Sequence, residues 1–206
     1  NAAIQKGFED VDLTGYTGSF GADITAIKGG SDITGTPNVD VITDGAGADI
    51  VRQSSKGDTI SFANGGIDKY VAQEAVNLTT ATASSFADGN TTDADTITFG
   101  NGVDVITGFG TTDLIGGSFT DNVALTTLDS LANAGALADN TGYVGYGTWN
   151  ASTSVFTCAD GGYDAARKDA VVFFANGTDA AAMTAHTEIF ILDDLTAALA
   201  QANMNV

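Results

Sequence analysis

Aspartate recurs along this chain at a fixed step, and that step limits what the chain can fold into. Asp40, Asp49 and Asp58 stand nine residues apart, as do Asp95, Asp104 and Asp113; Asp23 and Asp32 keep the same interval, and Asp68 follows Asp58 by ten. A large apolar residue follows most of them at once or one place later, as in Asp40-Val41-Ile42, Asp49-Ile50-Val51, Asp58-Thr59-Ile60, Asp95-Thr96-Ile97, Asp104-Val105-Ile106 and Asp113-Leu114-Ile115. Gly, Asn or Ser fills the places before them. Such a unit reads as a turn of about six residues and a strand of about three.

A three-residue strand cannot stand alone. Stacked at a nine-residue period, each strand pairs with its equivalents above and below, and the inward Ile, Val and Leu form a continuous ladder. The carboxylates and turn carbonyls then line up in columns on the flanks. Stacked carboxylates repel one another, and a divalent cation between turns removes that repulsion. The spacing therefore predicts a parallel β-roll, a solenoid in which calcium replaces a large core.

Composition agrees with many tight turns. Of 26 acids only Glu9, Glu74 and Glu188 are Glu, and Gly numbers 26 of 206 residues. Asp prefers turns, caps and metal loops, whereas a long acidic helix would use Glu. The net charge of −19 sets the chain against phosphate backbones and so against nucleic acid. No run of eighteen apolar residues exists to span a membrane. A hydrophobic fraction of 43% is too high for a disordered acidic tail. The single cysteine, Cys158, excludes an intramolecular disulfide and a Cys-rich zinc site. The chain begins at Asn1 without a signal peptide, which reads as a mature product or an excised fragment.

The repeat residues resemble a known family. Gly35-Thr36-Pro37-Asn38-Val39-Asp40-Val41-Ile42-Thr43, followed by Asp44-Gly45-Ala46-Gly47-Ala48-Asp49-Ile50-Val51-Arg52, is similar to the repeats-in-toxin (RTX) nonapeptide GGxGxDxUx, where U is a large apolar residue. The stretch from Asp95 to Ile115 looks like the end of such rolls, where repeats degenerate into longer strands. The resemblance covers roughly residues 30–115, clearest over 35–68 and 95–115. It departs from the pattern where Asp44 replaces the first Gly, and in Gln53-Ser54-Ser55-Lys56-Gly57-Asp58, where most glycines are gone and a Lys intrudes. It implies Ca²⁺ as the bound cofactor. The residues placed to hold it are Asp40, Asp44, Gly45, Gly47, Asp49, Asp58 and Asp68, with Asp95, Asp104 and Asp113 as a second register and Asp23 and Asp32 as a weaker third. The competing account is that these aspartates are solvated and close tight turns through Asx hydrogen bonds.

After Ile115 the character changes. Leu125, Leu128 and Leu131 share one helical face and predict a short helix over 125–137. Four strands follow, at Gly142–Asn150, Ser154–Cys158, Ala170–Phe174 and Glu188–Leu192. The tail from Asp194 predicts a second short helix, capped by Asp193 or Asp194. The fold class is thus mostly β: a right-handed parallel β-roll over 1–115, then an antiparallel β region with two short helices over 116–206. This second block loosely resembles the closing segments of bacterial RTX surface proteins exported by type I systems, and that resemblance implies a C-terminal secretion signal.

Motifs for enzyme chemistry are missing. No segment matches an EF-hand loop, HExxH or GxSxG, and the Gly-rich turns lack GK[ST]. His186 and Cys158 could form a nucleophile pair, but a loop His and a packed strand Cys account for them more simply. Trp149 with Tyr143, Tyr146 and Phe156 reads either as a sugar-stacking platform or as one face of a core. Arg167-Lys168 beside Asp164 and Asp169 reads as a solvated loop pair. The function expected is non-enzymatic: a calcium-binding structural module of a secreted bacterial cell-surface protein, in a surface layer, filament or adhesin, that folds and self-associates outside the cell. A secretion and folding tail of an extracellular enzyme, or a module binding cell-surface glycan, are the alternatives.

Overall fold

The computed structural model describes residues 4–6, 9–72, 81–84, 95–99, 103–117, 124–127, 141–158, 162–175 and 189–204. The chain is mostly β. Its first eight strands are β1 (Ile4–Lys6), β2 (Asp10–Asp12), β3 (Asp23–Thr25), β4 (Asp32–Thr34), β5 (Val41–Thr43), β6 (Ile50–Arg52), β7 (Thr59–Ser61) and β8 (Lys69–Val71). Then come β9 (Ala81–Ser84), β10 (Asp95–Phe99), β11 (Asp104–Thr107), β12 (Leu114–Gly116), β13 (Ala124–Thr127), β14 (Thr141–Asn150), β15 (Val155–Cys158), β16 (Asp169–Ala175) and β17 (Ile189–Asp193).

Successive short strands alternate between two parallel sheets. One runs β1-β3-β5-β7-β11 and continues into the rest of the chain; the other runs β2-β4-β6-β8-β12. This corrects one expectation. Strands nine residues apart do not pair but face each other from opposite sheets, and pairing joins strands two units apart, as Val41 with Thr59 and Ile50 with Lys69. The reason is the pleat. Each strand buries only its middle residue, so its apolar side chain needs a second sheet to pack against. Ile24, Ile42, Ile60 and Ile106 meet Ile33, Val51, Tyr70 and Ile115 in one core. Each fully buried Ile contributes about 2 kcal/mol.

β11 is the junction. It pairs in parallel with β7 on one side and with β17 on the other. From β17 the sheet continues antiparallel through β16, β14, β15, β10 and β9. The four strands read from the sequence in this region are β14 to β17. Side chains on these strands split by parity. Ala170, Val172, Phe174, Phe190 and Leu192 join the first core. Val171, Ile189 and Ile191 face the other way and pack with Ile97, Phe99 and Phe156 in a second. Burial on both faces explains why the Ile-Phe-Ile-Leu run of β17 is apolar without alternation.

The two helices expected after Ile115 are absent among the described residues. Leu125 lies in β13, which pairs in parallel with β14; residues 128–137 lie outside the described residues. In the tail, Asp194 has φ 60, a left-handed conformation unlike the extended backbone of an N-cap. The Leu195 N–H donates to the Lys168 carbonyl at 2.9 Å, and the Leu199 N–H to the Tyr146 hydroxyl at 2.8 Å. Tertiary partners thus take the donors a helix needs, and only a 3-10 turn, Gln201–Asn203, remains. That turn seats Met204 beside Ile115, and the Asn203 side-chain amide donates to the carbonyls of Thr111 and Asp113.

Candidate metal centre

Strand register sorts the aspartates into two columns. The place just ahead of β3, β5 and β7 is held by Ala22, Asp40 and Asp58, and the register aligns with them Asp104, the first residue of β11. The place ahead of the second-sheet strands is held by Ser31, Asp49, Asp68 and Asp113. All six aspartates are buried, none more than 4% exposed. Among the described residues, the ion pairs found are Arg52–Asp32 and Arg167–Asp164, and neither involves a column aspartate.

Two kinds of bond recur, and Asp40, Asp58 and Asp113 make both. One closes the residue's own turn: Asp40 accepts from the Thr36 N–H at 2.6 Å, Asp49 from the Gly45 N–H at 2.7 Å, Asp58 from the Ser54 hydroxyl at 2.7 Å and Asp113 from the Gly110 N–H at 2.7 Å. The other is a backbone N–H received from the coil before. Ala22 donates to Asp40, Asp40 to Asp58 and Asp58 to Asp104, at 2.6 to 2.8 Å. Asp49 donates to Asp68 at 2.9 Å and Asp68 to Asp113 at 3.1 Å. The columns are therefore hydrogen-bonded along their length, in addition to the sheet ladders.

Their electrostatics follow from burial without a cation. Desolvation, then the charge of Asp104, pushes the Asp58 carboxyl up to about 8. Desolvation raises Asp104 to about 7 against the hydrogen bond from Tyr70, and raises Asp68 to about 6. Asp44, buried beside the second column, is also raised by desolvation, although the Asn64 backbone and side-chain N–H groups donate to it at 2.9 Å.

The two columns differ as cation sites. In the first, every oxygen of Asp40, Asp58 and Asp104 meets at least one N–H or O–H. In the second, Asp49 Oδ1 and Asp68 Oδ2 are buried with no hydrogen-bond partner. The turns beside them are close enough that a Cβ on Gly47 would overlap the backbone of Gly30, and one on Gly66 would overlap the Gly47 carbonyl. Buried carboxylate oxygens next to stacked turn carbonyls are the donor set a hard cation takes. Among the described residues no three His, Cys, Asp or Glu side chains converge enough to hold a metal by themselves, so carbonyls would have to complete such a site.

The remaining expected residues fall elsewhere. Asp95 opens β10 opposite Cys158, outside both columns. Asp23 and Asp32 stand one place past the column positions. Asp23 is exposed, and Asp32 forms a bidentate pair with Arg52 at 2.7 and 2.9 Å. Tyr143, Tyr146 and Phe156 are buried core residues, and Trp149 packs edge-on to Phe99, so these aromatics do not form an open platform. His186 lies outside the described residues. The partners missed from the sequence are Thr36 and Ser54, each four residues before an aspartate, and Tyr70, whose hydroxyl donates to Asp104 at 2.6 Å. Comparison with protein-family models, with curated proteins and with solved structures finds no match for the chain.

Proposed function

We propose that this chain is a calcium-stabilised structural module, a parallel β-roll of the repeats-in-toxin kind, belonging to a secreted cell-surface protein and carrying no catalytic site. The observation that carries the reading is the pair of buried, unpartnered oxygens on Asp49 and Asp68, in successive coils of one column. Asp49 and Asp68 would hold the ion together with carbonyls of turns 44–49 and 62–68, while Asp44 and Asp113 add negative potential. Bound calcium supplies the positive charge that this part of the fold lacks. The net charge of −19 keeps the chain expanded where calcium is scarce, and ion binding where calcium is plentiful becomes folding free energy. Self-association of the folded module is the structural role that follows.

A calcium titration of EDTA-treated protein, followed by circular dichroism, thermal melting and light scattering, tests this. The expected result is a rise in melting temperature with calcium that Asp49→Asn and Asp68→Asn reduce. Large particles forming with calcium support the assembly role, and a soluble folded monomer supports a secretion or folding tail instead. Identical melting in EDTA and in calcium overturns the calcium reading.

A further inference from the structure

The second sheet closes at β12 on residues far away in sequence. Along this sheet the first N–H of each strand donates to the carbonyl just ahead of the strand before it. Asp32 donates to Glu9, Ile50 to Ser31, Lys69 to Asp49 and Leu114 to Asp68, at 2.7 to 3.0 Å. The next acceptor in that series is the Asp113 carbonyl, just ahead of β12. Among the described residues no strand follows β12 in this sheet, yet the acceptor is met. The Asn203 side-chain amide donates to it at 2.9 Å and to the Thr111 carbonyl at 3.1 Å. The amide oxygen of Asn203 accepts the Ala200 N–H, and its backbone N–H donates to the Ala200 carbonyl, both at 2.9 Å. Both donors and the oxygen of this amide are thus engaged, in a residue 3% exposed. Met204 completes the match. It bridges Ile115 in parallel and so extends the inward row Ile33, Val51, Tyr70, Ile115 by one place. It is buried in the same core, and a Cβ on Gly142 of β14 would lie 2.9 Å from its methyl carbon. Asn203 therefore holds the place of Leu114, one residue ahead of the inward one, and its side chain replaces a strand's N–H.

The two ends of this sheet are closed by different means. β2 carries exposed Asp10 and Asp12, and charge on an edge strand discourages further pairing. β12 is Leu114-Ile115-Gly116, without charge, and a bare edge of that kind is a template for strand addition. We infer that residues 200–204 are a surrogate final rung that seals this edge, and that the site they fill accepts the same tail from a second copy of the chain when its own is displaced. The tail is suited to exchange. It leaves β17 through Asp194, whose φ is 60. Scattered bonds then hold it, to the Lys168 carbonyl, the Tyr163 and Tyr146 hydroxyls and the two carbonyls met by Asn203. Swapping identical segments between copies keeps those bonds. The inference does not rest on the calcium reading, because no column carboxylate takes part.

The full chain carrying Asn203→Asp with Met204→Asp tests it, in calcium-containing buffer. The first change removes the amide donors, and the second puts a charge on the inward row. Binding of a fluorescent peptide of residues 194–206 is measured, together with amide hydrogen exchange. The Ile115 amide is expected to exchange about ten- to hundredfold faster in the double variant, as for the loss of a buried hydrogen bond, while β14 and β16 keep their protection. The peptide is expected to bind this variant and restore protection at Ile115, and a peptide bearing Asn203→Asp is expected not to bind. With β14 and β16 protected, absence of binding, or equal binding of the two peptides, overturns the inference. If the double variant loses protection throughout, Asn203→Asp alone decides. Faster exchange confined to Ile115 supports the seal; exchange that is unchanged, or faster throughout, overturns it.

Discussion

The backbone N–H of Asp58 donates to the carboxylate of Asp104 at 2.8 Å, across 46 residues of sequence. The chain between them includes β9 and β10, which pair in the far part of the large sheet. The column nevertheless resumes in register, with Thr59 beside Val105 and Lys69 beside Leu114. Closing a long loop costs little more than closing a short one. An insertion is therefore compatible with the stack wherever the strand after it restores the aspartate and the inward apolar residue, as Asp104-Val105-Ile106 does.

Stability falls as pH rises. Asp58 and Asp104 are raised in the folded protein to about 8 and about 7 from an ordinary value of 3.8. The folded state therefore holds protons that the unfolded chain has released, and unfolding becomes easier with each step up in pH. Their contribution is complete below pH 4 and is lost as pH climbs through about 7 to 8. Melting in EDTA is expected to be higher at pH 5.5 than at pH 8.5, and Asp58→Asn should flatten that difference. A melting temperature that rises over the same interval would contradict the sign.

Tyr70→Phe isolates one rung. The ring packs on Phe190 at a centroid distance of 4.7 Å, which Phe preserves. The hydroxyl is removed from Asp104, whose second oxygen is left buried without that partner. The expected loss is about 1–3 kcal/mol, read from urea unfolding at fixed pH. A change below about 0.5 kcal/mol would show that the bond makes no net contribution.

Gly47→Ala tests the close approach of the turns. The added Cβ would overlap the backbone of Gly29 and Gly30 in the coil before, and backbone cannot swing aside as the end of a side chain can. Forced separation of the coils is expected to cost about 1–3 kcal/mol or more. Calcium affinity, if turns 44–49 and 62–68 hold the ion, falls with it. Wild-type melting and binding in this variant would mean that the turns have slack.

Lys56→Gly should stabilise. Lys56 is exposed and has φ 77 in the turn that leads to Asp58. A side chain in the left-handed region costs about 1–2 kcal/mol, partly offset by the greater freedom of Gly in the unfolded chain. A net gain of about 0.5–1 kcal/mol is expected in chemical unfolding. A net loss would show that the Lys side chain has a role in that turn.

The repeating unit is legible in the order of residues alone, because aspartate, turn residues and an inward apolar residue recur at a spacing that local chemistry reads directly. Ile42, Val51 and Ile60 are identifiable as core from their place after Asp40, Asp49 and Asp58. The strands β14 to β17 are legible from their β-branched and aromatic runs for the same reason. Which units stack on which is set by folding and is not written in the spacing. Asp40 and Asp49 look alike along the chain, yet the alternation between two sheets sends them to different columns, where Asp40 takes three donors and Asp49 keeps one oxygen bare. The Tyr70–Asp104 bond was equally hidden, since it joins residues 34 apart. So was the fate of the tail, whose helical pattern yielded to hydrogen bonds with Lys168 and Tyr146. Local propensity decides where strands and turns fall; what each buried carboxyl meets is decided by neighbours that only folding brings near.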